Sequence, residues 1–300
     1  YMLQASLRVD AADLSYLPLE KRWGYFPAVS AGWTVSEENF FTPLKDVVTN
    51  LKLRASWGQN GSLAALASNL YGYGTTMVTA GYYPFVPGNN YTTGIRPNSL
   101  GNDKLKWETS EQINVGLDAR LFNDRLTFSM DWFHKKTKDL LITGTTPSLI
   151  IGGTTSPINA GNVSNKGFEF EIGWRDKIGD FDYSIKGNLA TLKNKVTYLD
   201  PSLTRAAGTT FHTNTITYFE EGYPVYYFRG YRCEGINPED GEPIFADLDN
   251  NGIINEDDKT YIGDAIPDFT YGITLTAAWK GLDLTCLLYT SPSPRDRQKS

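Results

Sequence analysis

Histidine and cysteine are almost missing from this chain, with two of each among 300 residues. Cys233 and Cys286 are too few for a disulfide framework or a thiolate metal cluster. His134 and His212 stand far apart, so no local spacing suggests a His-based metal site or a nucleophile triad. Long apolar runs are absent as well. Nothing approaches the roughly 18 consecutive residues of a helical membrane span. Gly72 and Gly74, like Gly152 and Gly153, lack the Lys-Ser/Thr that completes a phosphate-binding loop. Cationic surplus is lacking too: the net charge of −6 argues against a nucleic-acid surface. No export signal is visible and Tyr1 already sits in a strand-like pattern, so the chain is expected to be a piece of a longer one.

What the chain does have is aromatic residues, glycine and alternation. It carries 18 Tyr, 15 Phe, 7 Trp and 28 Gly. Aromatic residues and Thr favour strands, and glycine punctuates them. Ile113, Val115, Leu117, Ala119 and Leu121 fall on one face of a strand, with Gln112, Asn114, Asp118 and Arg120 on the other. Across an Asn123-Asp124 turn, Leu126, Phe128, Met130 and Trp132 continue the apolar face. The same lettering recurs at Leu51, Leu53, Ala55, Trp57; at Phe168, Phe170, Ile172, Trp174; and at Phe269, Tyr271, Ile273, Leu275, Ala277, Trp279. Strands of about ten residues with one apolar and one polar face are the signature of an antiparallel transmembrane β-barrel. The all-β expectation is nine strands of a larger barrel, at about 2–10, 25–35, 51–58, 108–122, 125–136, 166–176, 180–190, 268–279 and from 282.

The connections alternate in length. Asn123-Asp124, residues 176–179 and Lys280-Gly281 are short, and residues 36–50, where Ser36 is expected to cap a short helix, are intermediate. Residues 11–24, 59–107, 137–165 and 191–267 are long. Short periplasmic turns opposite long extracellular loops are what a bacterial barrel shows. Trp33, Trp174 and Trp279 precede short connections, while Trp57 and Trp132 precede long ones. They fit aromatic girdles at both interfaces, or ordinary packing on a sheet. The tail 286–300, CLLYTSPSPRDRQKS, breaks the last strand and fills with proline. It resembles a translated sequencing adaptor and is expected to be an assembly artefact, leaving 1–285 as barrel.

One compact ligand pattern stands out, DLDNNGIINEDD at 247–258. Asp247, Asp249, Asn251, the Ile253 carbonyl, Asn255 and Asp258 follow the 1-3-5-7-9-12 spacing of a calcium loop, with Gly252 at the bend. Asp at position 12 has a shorter arm than Glu, which leaves Mg²⁺ as the alternative to Ca²⁺; an Asx-rich turn without an ion is the other reading. Tyr71, Tyr73, Tyr82, Tyr83, Phe85 and Tyr91 crowd one long loop. Their flat faces suit sugar stacking or a lid protein, and equally suit packing within the loop. His134 to Lys138 lies where a strand leaves the membrane, as a solvated rim or a contact for lipopolysaccharide phosphates.

Several motifs together resemble the SusC/RagA family of TonB-dependent outer-membrane transporters. They are RWGYFPAVSAGW (22–33), VSEENFF (35–41), LKLRASWG (51–58), LKWE (105–108), QINVGLD (112–118), NKGFE (165–169), the acidic 247–258 segment and PDFTYG (267–272). The resemblance implies a 22-stranded barrel with an N-terminal plug, energised by the TonB-ExbB-ExbD complex through the part missing here. It also implies a SusD-like surface lipoprotein over the mouth and an oligosaccharide, or a peptide, as cargo. It gives no catalytic residue and no nucleic-acid partner. Two other readings stand beside it. A soluble β-sandwich glycan-binding module would bury the apolar face in a protein core. A secreted β-rich glycoside hydrolase would need a carboxylate pair in a cleft.

Overall fold

In the computed structural model, residues 1–68, 70–84, 91–142, 154–212 and 214–290 are described. Strands that share an apolar face pair with their sequence neighbours into one ten-stranded antiparallel sheet. Its strands in chain order are β1 (Met2–Ala11), β2 (Trp23–Thr34), β3 (Val48–Ser62), β4 (Glu108–Leu121), β5 (Leu126–Ile142), β6 (Ile158–Ile178), β7 (Phe181–Thr191), β8 (Phe269–Trp279) and β9 (Leu282–Tyr289). The tenth, Lys193–Leu199, continues the line of β7 along the upper part of β6. From β1 to β9 each strand pairs with the next of these nine, an up-and-down meander of the kind that closes into membrane barrels.

Register turns the alternation of single strands into two continuous surfaces. Trp33, Leu53, Leu117, Met130, Phe170, Leu189 and Tyr271 stand directly opposite one another across seven strands. One residue along, Lys52, Asp118, Ser129, Glu171, Asn188 and Gly272 form the adjacent polar row. Opposed side chains share a face, so a slip of one residue would mix the two. Among the described residues nothing covers the middle of the apolar face: Val115 is 49% and Ile172 52% exposed. A sandwich would lay a second sheet there. The other sheets among the described residues have only two to four strands and lie in the long connections. From Phe269 to Trp279 the strand spans roughly 34 Å, or about 26 Å of height at a ~40° tilt, which matches an apolar band of about 25 Å. Aromatic residues mark both of its ends, with Trp57, Trp132 and Phe168 towards the long loops and Trp174, Phe181 and Trp279 towards the short turns.

Three local expectations are corrected. Leu121 pairs with Leu126, so the β4–β5 turn has four residues rather than the two of Asn123-Asp124. Phe122, Asn123 and Asp124 all have positive φ (55°, 57° and 64°). Phe122 is held there by its N–H to the Val47 carbonyl (2.8 Å) and by its ring 6.3 Å from that of Trp174. Ser36 does not cap a helix. It is buried inside the 3-10 turn Val35–Glu37, and Trp33 Nε1 instead donates to Glu38 Oε1 at 2.9 Å to secure this segment. The last strand does not break at Cys286 but pairs with β8 as far as Tyr289, the ladder tolerating any non-proline residue. It does break the face pattern, setting Leu287 opposite Thr274 on the polar side.

Candidate functional site

Most of the buried side chains among the described residues lie in the long loops. Ala12, Leu17, Leu66 and Leu105 form one buried cluster, which joins residues 12–22 to residues 63–107. Val163, Val196, Leu199, Leu203 and Phe219 lead a second, over the upper end of β6. The loops therefore have cores of their own, and they build a rigid rim above the sheet.

Within that rim the aromatic residues are placed unevenly. Tyr73 packs against the first cluster and donates from Oη to the Leu14 carbonyl at 2.8 Å, with the Tyr71 ring 6.4 Å away. Tyr82 and Tyr83 lie on the strand Thr76–Pro84, paired with Thr93 and Thr92 of the strand Tyr91–Leu100, where Tyr91 pairs with Pro84; Phe85 lies outside the described residues. A second aromatic group escaped sequence reading. Tyr223 stacks on Tyr227 at 4.5 Å between centroids, and Tyr261 completes the group at 6.1 and 5.8 Å. Buried Tyr227 donates to Glu220 Oε2 (2.5 Å), which Arg205 Nε also reaches at 3.0 Å; burial and then this carboxylate push its phenol up. Asp264, accepting from Tyr261 Oη, pushes that phenol up to about 12. Tyr227 and Tyr261 are too far apart in sequence for spacing to betray them.

The acidic loop brings three of its carboxylates together. Carboxylate oxygens of Asp247, Asp249 and Asp258 lie within 4.8 Å of one another. At that full separation a central point lies about 2.8 Å from each oxygen, so an ion with bonds of about 2.3–2.6 Å would draw the three slightly closer. Gly252, at φ 82°, makes the bend and donates its N–H to Asp247 Oδ2 at 2.7 Å. That bond, first among several, holds the Asp247 carboxyl low, whereas desolvation and the two neighbouring carboxylates raise Asp249. Asp258 is buried and accepts from the N–H groups of Leu248 and Asn255, both at 2.8 Å. The amides are committed elsewhere: Asn251 Nδ2 donates to Asp249 at 2.7 Å, and Asn255 Oδ1 caps the 3-10 turn Glu256–Asp258. The Ile253 carbonyl accepts from Asn255 Nδ2 at 3.4 Å. Three of the six expected ligands are thus gathered, and three are turned to the loop's own backbone and side chains.

Below the rim, the polar face carries a charged knot that the sequence did not announce. Arg54 on β3 donates from Nε and Nη2 to both oxygens of Asp118 on β4 (2.7 and 2.9 Å), and from Nη2 to Asp131 on β5 (2.9 Å). Ser129 Oγ adds a 2.9 Å bond to Asp118. Gly116 leaves the space for it, since a Cβ there would strike Asp131 and come 2.8 Å from Arg54 Nη2. Beside the knot runs an open groove of about 470 Å³, lined by Gln4, Ser6, Ser30, Ser56, Asn60 and Gln112 among others. Lys135 lines it too, but most of the polar lining is neutral amides and hydroxyls, which can bond a polyhydroxylated or amide-rich chain.

A family model described as TonB dependent receptor-like, beta-barrel matches residues 1–289. The chain is 33% identical, over 97% of its own length, to the TonB-dependent receptor P3 of Formosa agariphila, and 30% identical over 97% to the TonB-dependent receptor SusC of Bacteroides thetaiotaomicron. It spans about 30% of the length of these curated relatives. Its fold matches the solved structure of the RagAB peptide transporter with a TM-score of 0.77 over 96% of this chain and 30% of that one, at 24% identity. Two-faced strands, alternating connections and this match along nearly the whole sequence agree, and the chain belongs to the TonB-dependent receptor-like β-barrel family, whose members are outer-membrane receptors and not enzymes.

Proposed function

We propose that this chain forms part of the wall and outer rim of an active importer that carries an oligosaccharide, or a peptide, across the outer membrane. A SusD-like surface lipoprotein covers the mouth, and TonB-ExbB-ExbD supplies energy through the N-terminal part of the parent. The observation that carries the reading is the continuous polar face, with its groove of mostly uncharged amides and hydroxyls, beneath a rim of loops that have cores of their own. Cargo uptake by cells expressing the full-length protein should stop when a protonophore collapses the proton gradient, and recovered cargo should be chemically intact. Uptake that persists without the gradient would leave a passive channel, and cleaved cargo would revive the hydrolase.

The acidic loop has a separate, structural part in this proposal. Asp247, Asp249 and Asp258 hold Ca²⁺, with Mg²⁺ as the weaker fit, and the ion sets the path of the loop into β8. Calorimetry on the full-length barrel should give a dissociation constant of about 10⁻⁴–10⁻³ M, the range of extracellular modules. Binding requires deprotonated carboxylates, so affinity should fall as acidification first protonates Asp249, whose pKa is raised. Equal heats for wild type and the Asp247→Ala/Asp249→Ala double variant would reduce the loop to an acidic turn.

A further inference from the structure

Directly above the outer aromatic row, the outward face changes from apolar to basic. Lys166 on β6 stands opposite His134 on β5 and opposite Lys193 on the strand Lys193–Leu199. One step further, Ser164 stands between Lys136 and Lys195 in the same way. All four lysines are exposed. They lie on the face of Trp132 and Phe168, which is the lipid side, and not on that of Lys135, which lines the inner groove. Like charges set directly opposite one another destabilise a sheet unless something neutralises them. Among the described residues, Lys138 has a carboxylate partner, Glu111 at 2.6 Å, whereas no ion pair is found for Lys136, Lys166, Lys193 or Lys195. Ser164, Lys166, Lys193, Lys195 and Thr197 line a hollow of about 360 Å³ at this level. Asp264 and Asp268 also line it, but Asp264 is engaged by Tyr261 Oη and the Ile266 N–H, and three cations outnumber two anions.

We propose that this patch binds the phosphate of a phosphorylated glycolipid headgroup in the outer leaflet, anchoring the rim to the membrane surface. The position selects the occupant. A phosphate on a lipid at the girdle level meets the lysines while its acyl chains lie on Phe168, Ile172 and Trp132, an arrangement that a soluble anion does not exploit. The proposal rests on the barrel and its orientation and not on the import reading, so either can fail alone.

The test uses the folded full-length protein in detergent, titrated with diphosphoryl lipid A, fully dephosphorylated lipid A and inorganic phosphate, and read by native mass spectrometry. The Lys166→Gln/Lys193→Gln/Lys195→Gln variant should lose on the order of 100-fold in affinity for diphosphoryl lipid A. Lys135→Gln on the inner face should change it by less than about twofold, since it lies away from the lipid surface. Heat-modified gel mobility checks that each variant is folded, and Lys195→Gln alone, with about a fivefold loss expected, serves if the triple variant is not. Equal binding of dephosphorylated lipid A, an equal loss with Lys135→Gln, or no loss in the lysine variants would overturn the proposal. Displacement of the lipid by roughly millimolar inorganic phosphate would also overturn it, because a free-ion site would then explain the lysines without a membrane contact.

Discussion

Arginine at Ile172 is expected to destabilise the folded barrel in a bilayer by about 2–4 kcal/mol, the cost of a cation at the midplane of the lipid face. Ile172 on β6 is opposite Phe128 on β5 and Gly187 on β7, in the middle of the apolar surface and 52% exposed. Leu275→Arg on β8 should behave alike, being opposite Ile185 and likewise uncovered by protein. Glu171→Arg, one residue away but beside Ser129 and Asn188 on the polar face, should cost far less. Denaturant unfolding of the reconstituted full-length protein measures the difference. Single-cysteine labelling gives a second readout: positions 115, 128, 172 and 273 should react with lipid-soluble reagents, and positions 114, 127 and 171 with aqueous ones. The reverse pattern would mean that the face assignment is inverted.

Removing Arg54 should be the most damaging change on the polar face. Arg54→Leu strands two carboxylates, Asp118 and Asp131, that one guanidinium now holds together. Breaking a fully buried pair in this way costs several kcal/mol. Here the Arg54 and Asp118 side chains are 33% and 37% exposed, so water screens part of the penalty and about 1–3 kcal/mol is expected. Arg54→Lys should recover only a share, because a single ammonium cannot reproduce the fork that bridges both strands. Adding Asp131→Asn to Arg54→Leu should restore stability by relieving the charge that is left over. If Arg54→Leu unfolds at the same denaturant concentration as wild type, the knot contributes nothing measurable.

Nine strands, and the faces of five of them, were legible in the sequence because a barrel wall is a local code. Each strand must present lipid and water on alternate residues, so a period of two survives in a single segment such as 113–121 without knowledge of its neighbours. The turn parity and the 247–258 spacing were legible for the same reason, since each is complete within a few residues. Pairing across strands was not written in this way. Arg54 meets Asp118 and Asp131, which are 64 and 77 residues away. Tyr223 meets Tyr261, and Lys166 meets Lys193, only after the register is set. In one strand each of these is merely a polar or aromatic letter on the expected face.

The long connections show the same division more sharply. Their composition marked them as loops, yet it hid that Leu17 packs with Leu66 and Leu105, or Val163 with Val196 and Phe219, into buried clusters. Such cores have no period, because irregular segments bury whichever apolar side chains the chain path brings together. Six calcium-type positions were likewise spelled out in order, but the tertiary structure turned Asn251 and Asn255 to neighbouring backbone and side-chain partners and gathered only the three carboxylates. By itself, then, the sequence determined the two-faced wall and the order in which its strands meet, since both follow from local alternation and short turns. The charged knot, the self-packed rim and the paired lysines were decided by register and loop path alone, because their energies depend on residues that become neighbours only in the folded chain.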